Sequence, residues 1–196
     1  MFSYLILNAH IVNEGSVSEN DLYVKDGRIV KIGADLQSTP ADKVVDAKGK
    51  HLFPGMIDDQ VHFREPGLTH KGSILTESQA AVAGGITSFM DMPNTMPPTL
   101  TRERLANKFA IAQKTSLANY SFYLGAGNDT IEEIKALSPG EACGIKVFMG
   151  ASTGNLLVDD PGTLDAIFRS APTLVAVHCE DTPTILENER RFRDLY

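Results

Sequence analysis

The chain has 196 residues, 42% of them hydrophobic and 22% charged, which is enough apolar material for one ordinary core. A formal charge of −7 and a pI near 5.2 argue against nucleic acid or an anionic membrane surface as the main partner. Two cysteines, Cys143 and Cys179, make no disulfide framework and suit a reducing cytosol as buried thiols. The N-terminus lacks the basic segment and long apolar run of a secretion signal, and no stretch reaches the ~18 apolar residues of a membrane helix.

In chain order, residues 1–53 are predicted as short strands: Leu5–Val12, Asp21–Val24, Arg28–Ile32 and Lys43–Asp46. Asp26-Gly27 between two of them is a hairpin signal. From Leu52 the rhythm becomes strand then helix, repeated. Strands are predicted at Leu52–Ile57, Ile86–Met92, Ser121–Ala126, Gly144–Met149 and Leu174–Cys179, with the near-continuous apolar runs of strands covered on both faces. Helices are predicted between them. Ser73–Ala83 stops at Gly84-Gly85, and Arg102–Lys114 is capped by Thr101. Thr130–Leu137 opens on a Thr-x-x-Glu capping box, Thr130 with Glu133. Gly162–Ser170 follows Asp160-Pro161, and a last helix starts at Thr182-Pro183 and runs to the end at Tyr196.

Repeated βα units imply parallel strands joined by right-handed crossovers. About five units are present, whereas a closed (β/α)8 barrel needs eight and ~250 residues. Five parallel strands alone leave two raw edges. The fold class is therefore α/β, the N-terminal half of a TIM-type barrel. The C-terminal half is expected outside the chain, or else a natural short chain needs a partner to close it.

Barrel enzymes place their chemistry at the C-terminal ends of the strands, and the polar residues gather there. Asp58, Gln60, His62 and Arg64 alternate at the end of the first strand; on a regular strand, residues two apart share a face. The second strand ends in Asp91-Met92-Pro93-Asn94, the fourth contains Lys146, and the fifth ends in His178-Cys179-Glu180. A neutral imidazole binds a divalent metal, and a guanidinium grips a carboxylate with two hydrogen bonds. A lysine inside a buried strand loses its charge, finds a partner or snorkels to the rim. Asn94 beside prolines also suits a plain turn. Asp59 and Asp91 are expected to serve structure or to support neighbouring site residues.

Residues 54–67, with Asp58, Gln60, His62 and Arg64, resemble the Asp-x-His-x-His-x-Arg signature of the dihydroorotase branch of the cyclic amidohydrolases. Gln60 stands where the first metal-binding His is expected. Gly144-Ile145-Lys146-Val147-Phe148-Met149 resembles the superfamily's carboxylated-lysine strand, and Met92-Pro93-Asn94-Thr95 its substrate-carboxylate asparagine motif. The resemblance implies domains at 1–53, a small β-sandwich segment, and 54–196, the first βα units of the metallohydrolase barrel. It implies one or two zinc ions held by His62, His178 and a carboxylated Lys146, with Gln60 a poor fourth candidate, since an amide oxygen is a weaker zinc ligand than imidazole. Arg64 and Asn94 would hold the substrate carboxylate, and the catalytic general-base Asp would lie beyond residue 196. The implied function is a cytoplasmic, homodimeric dihydroorotase of pyrimidine biosynthesis, interconverting dihydroorotate and N-carbamoyl-L-aspartate. Two other readings stay open. One is a non-catalytic scaffold for an enzyme such as aspartate transcarbamoylase. The other is an allantoinase or dihydropyrimidinase-type cyclic amidase, against which Arg64 with Asn94 speaks.

Overall fold

The structure is a computed structural model describing residues 2–150 and 156–195. The chain divides into two compact units, Met1–Gly55 and Met56–Tyr196.

The first unit is one five-stranded sheet. Strands β1 (Ser3–Asn13), β2 (Ser16–Lys25), β3 (Arg28–Gly33) and β4 (Lys43–Asp46) lie in the order β3-β2-β1-β4, and the short β5 (His51–Leu52) also pairs with β1. The predicted turn at Asp26-Gly27 forms with both residues at positive φ, 51° and 74°, as a two-residue hairpin turn demands. Glu14-Gly15 repeats the device between β1 and β2.

The second unit alternates strand and helix: β6 (Met56–Val61), α1 (Ile74–Ala83), β7 (Ile86–Asp91), α2 (Arg102–Thr115), β8 (Asn119–Gly125), α3 (Ile131–Lys135), β9 (Gly144–Phe148), α4 (Pro161–Ser170), β10 (Val175–His178) and α5 (Thr182–Arg193). The five strands are parallel and lie in chain order, each crossover advancing by one strand. This is the curled half-barrel expected from the βα count. Its main core packs strand residues Phe89, Phe122, Leu124, Ile145 and Val147 against Ile74, Leu105, Ala112, Ile134 and Ile167 of the helices. The outer strands carry exposed apolar side chains, Met56 and Ile57 on β6 and Val177 on β10.

Three local expectations are corrected. The strand predicted at Leu52–Ile57 belongs to two sheets: Leu52 pairs with Ile11 of β1, while Met56 pairs with Ile86 of β7. The Thr130–Glu133 capping box does not form. Thr130 Oγ1 accepts from Gly127 N at 2.8 Å instead, and Glu133 accepts from Arg102 N at 2.9 Å. The last helix closes at Arg193 with Asp194 as its C-cap, and Tyr196 lies outside the described residues. The caps at Thr101 and Asp160 are present, accepting from Arg104 N and Thr163 N. A capping box between Ser73 and Thr76 opens α1.

Candidate active site

Because all five strands are parallel, their C-terminal ends share one rim. His62 follows β6, Asn94 stands three residues beyond β7, Lys146 lies within β9, and His178 closes β10.

The first two strand ends are tied together. His62 Nδ1 and Asn94 Oδ1 are 2.8 Å apart. With the amide oxygen as acceptor, Nδ1 carries the proton and the Nε2 lone pair is left free. Backbone bonds reinforce the clasp: Met92 N donates to Val61 O at 3.0 Å and Met96 N to Pro66 O at 3.1 Å. Gly67, at φ +85°, passes so close to Met96 that an added Cβ would sit 1.9 Å from its carbonyl oxygen. Glu65 accepts from Ile74 N, at the start of α1.

The regular alternation predicted for Gln60, His62 and Arg64 is broken. The pairing with β7 slips between Asp58 and Val61, leaving an extra residue in β6, and the strand stops at Val61. Arg64 then adopts φ +68°. A bulge and a left-handed residue each re-aim the chain, so a period of two does not carry through. Gln60 and His62 are exposed, whereas Arg64 is half-buried.

Lys146 is only 4% exposed. Its neighbours in register are Gly125 on β8 and Ala176 on β10, and Ala126 N donates to its carbonyl at 2.8 Å. Among the described residues its ammonium has no ion-pair partner; Nζ instead sits 5.1 Å from the centre of the Phe148 ring. Burial pushes its pKa below the ordinary lysine value. The other side of this neighbourhood is His178, whose ring stacks on Phe148 at 6.1 Å between centroids. His178 Nε2 lies 3.0 Å from Glu180 Oε1. A carboxylate acceptor makes Nε2 the protonated nitrogen and leaves Nδ1 with its lone pair.

Both histidines therefore have one nitrogen held by an oxygen acceptor and the other available to a metal. Among the described residues, no three His, Cys, Asp or Glu side chains cluster closely enough to hold a metal ion on their own. His62, His178 and Lys146 supply two imidazoles and an amine, donor types that would suit a divalent metal.

A protein-family model described as Dihydro-orotase-like matches residues 49–149, more than half of the chain. The chain belongs to the dihydro-orotase-like family. A dihydroorotase of Methanosarcina mazei is 36% identical over 94% of this chain and 41% of its own length. An L-hydantoinase of Paenarthrobacter aurescens is 30% identical over 98% of the chain and 43% of its own length. An allantoinase of Deinococcus radiodurans is 37% identical over 76% of the chain and 33% of its own length. Among solved structures, the L-hydantoinase (dihydropyrimidinase) from Arthrobacter aurescens superposes with a TM-score of 0.90 at 29% identity, covering all of this chain and 44% of that one. This dihydro-orotase-like chain thus spans about two fifths of the length of the dihydroorotase and L-hydantoinase relatives.

Two features of the family's rim in this chain escape sequence reasoning. Lys108 is fully buried in α2, with Nζ 2.7 Å from Asp91 Oδ2. A signal existed: Leu105, Lys108 and Ala112 occupy one helical stripe, and a lysine among apolar neighbours needs a partner. Cys179, expected as a buried thiol, is exposed, while Cys143 is half-buried and its thiol is pushed up to about 11 by burial.

Proposed function

We propose that this chain forms the metal-holding and carboxylate-recognising part of a dihydroorotase, a cyclic amidohydrolase interconverting dihydroorotate and N-carbamoyl-L-aspartate. The reading rests most on the clasp between the β6 and β7 loops, His62 Nδ1 to Asn94 Oδ1 at 2.8 Å. That bond occupies the amide oxygen and leaves the Asn94 NH2 as a donor, on a loop tied to the one that carries Arg64. An amide donor and a guanidinium on two clasped loops suit a substrate carboxylate, which hydantoin-type rings do not offer.

In this reading the Lys146 amine loses its proton on desolvation and adds carbon dioxide. A C–N bond forms, one proton is released, and the product is an anionic oxygen ligand beside His62 and His178. When bound, zinc supplies Lewis acidity toward the ring amide carbonyl and lowers the pKa of water. The chain's own residues do the rest. Asn94 fixes the His62 tautomer, Glu180 orients His178, and Arg64 and Asn94 align the substrate by its carboxylate. Gln60 weakens one metal position, since its neutral amide is a poorer ligand than imidazole.

A hydantoinase is the second reading, favoured by the TM-score of 0.90 to the L-hydantoinase. Hydrolysis of dihydroorotate, hydantoin and allantoin by the full-length protein separates the two. Dihydroorotate is expected to be turned over, and Arg64→Ala to raise its KM roughly ten- to hundredfold, as loss of a ~1.5–3 kcal/mol hydrogen bond to a charged group implies. Preference for hydantoin with an unchanged KM in Arg64→Ala overturns the dihydroorotase reading. A natively folded protein with neither zinc nor turnover supports the scaffold reading.

A further inference from the structure

Behind the clasp lies a buried charge pair to which the site gives no chemical part. Lys108 and Asp91 are both fully buried. Lys108 Nζ sits 2.7 Å from Asp91 Oδ2 and donates to Met92 O at 2.8 Å. Lys108 thus joins Asp91 by an ion pair and the Met92 carbonyl by a hydrogen bond. Asp91 Oδ1 in turn accepts from Phe63 N at 3.0 Å. Burial pushes the Lys108 ammonium down, while Asp91 pulls it back up. The pair thus holds two backbone points at once: Phe63, next to His62, and Met92, two residues before Asn94. Stability alone does not call for it, because apolar residues of similar volume often replace a buried ion pair without loss.

We propose that Lys108 and Asp91 are positioning residues, whose buried pair sets the spacing of the β6 and β7 loops and thereby holds His62 in the Nδ1–H tautomer against Asn94. The link to catalysis rests on the function proposed above; the link to the tautomer does not. The β6 end is joined to β7 by Met92 N to Val61 O, but β6 pairs with no second strand among the described residues. An anchor from α2 through Asp91 is what fixes the next residue pair along the chain.

The test is the double variant Asp91→Asn with Lys108→Met in the full-length protein. It removes both charges, so neither is left buried alone, and it keeps an oxygen that can accept from Phe63 N. Two quantities are read: the His62 ring nitrogens by 15N NMR in metal-free protein, and the kcat against KM split for dihydroorotate. The expected result is a folded protein in which His62 samples both tautomers, with kcat at least tenfold lower and KM changed less than threefold. A single Nδ1–H tautomer as in wild type overturns the proposal. A mixed tautomer with unchanged kcat overturns its catalytic half. A wild type inactive on dihydroorotate counts against the functional reading and leaves the tautomer result standing. If the double variant does not fold, hydrogen exchange in the wild type decides. The Phe63 and Met92 amides and the His62 Nδ1 proton should open together, and unrelated opening rates overturn the proposal.

Discussion

Lys146→Met should make the metal-free protein more stable while abolishing its use of metal. The lysine is 4% exposed, and among the described residues its ammonium has no ion-pair partner. A fully buried polar group with no partner costs about 1–3 kcal/mol; Lys146 Nζ is not among the fully buried unpartnered atoms, so the lower half of that range applies. The Phe148 ring, 5.1 Å from Nζ, offsets about 1 kcal/mol of this. Methionine has nearly the same length, keeps the buried methylenes and brings no charge. The net expectation is a stabilisation of up to about 1 kcal/mol, or up to roughly 4 °C in Tm for a chain of this size. Burial lowers the lysine's pKa on folding from its ordinary value of 10.5. Between the folded value and 10.5, the unfolded chain holds a proton that the folded chain lacks, so wild-type stability rises with pH across that window. Below the folded value both forms are charged and the whole penalty stands. The advantage of methionine should therefore be full below the folded value and shrink as pH rises from there toward 10.5.

Guanidinium unfolding of both proteins in chelator, at pH 7 and near pH 10, measures this directly. Adding zinc and bicarbonate should then reverse the order. Wild type gains about 2.7 kcal/mol at a hundredfold excess over the dissociation constant, and the variant gains little. A Lys146→Met protein at least 1 kcal/mol less stable than wild type in chelator would refute the reasoning. It would mean that the ammonium is already well satisfied and serves the fold.

Gly67→Ala should lower stability by more than about 2 kcal/mol, since a Cβ there meets the Met96 carbonyl at 1.9 Å and alanine disfavours φ +85°; an unchanged denaturation midpoint would show that the two loops are not clasped. Gln60→His should raise the zinc content per chain measured by atomic emission, because imidazole replaces a weak amide donor. Unchanged zinc in that variant would place residue 60 away from any metal.

Residues of the parallel sheet were readable from sequence because a strand covered on both faces must be apolar throughout, and β7 to β10 begin and end within about two residues of their apolar runs. The same rule failed at Leu52–Ile57. An apolar run says that a segment is covered but not by which sheet, and this one pairs at Leu52 with β1 and at Met56 with β7. His62, Lys146 and His178 could be placed at one rim because parallel topology alone brings strand ends together. What holds them could not, since every tie depends on residues distant in the chain. Thr130 fits a capping box locally, yet Arg102 takes its intended partner Glu133. Gly67 looks like any loop glycine until Met96 is seen against it. Asp91 ends a strand unremarkably until Lys108 and the Phe63 amide meet its two oxygens. Sequence periodicity thus locates candidate site groups, whereas their aim is set by long-range contacts with no period. This is why the rim residues differ so much in burial, with His62 exposed and Lys146 enclosed. The enclosed lysine can be tuned by desolvation, but the exposed histidine depends on Asn94 and the loop clasp to hold its tautomer.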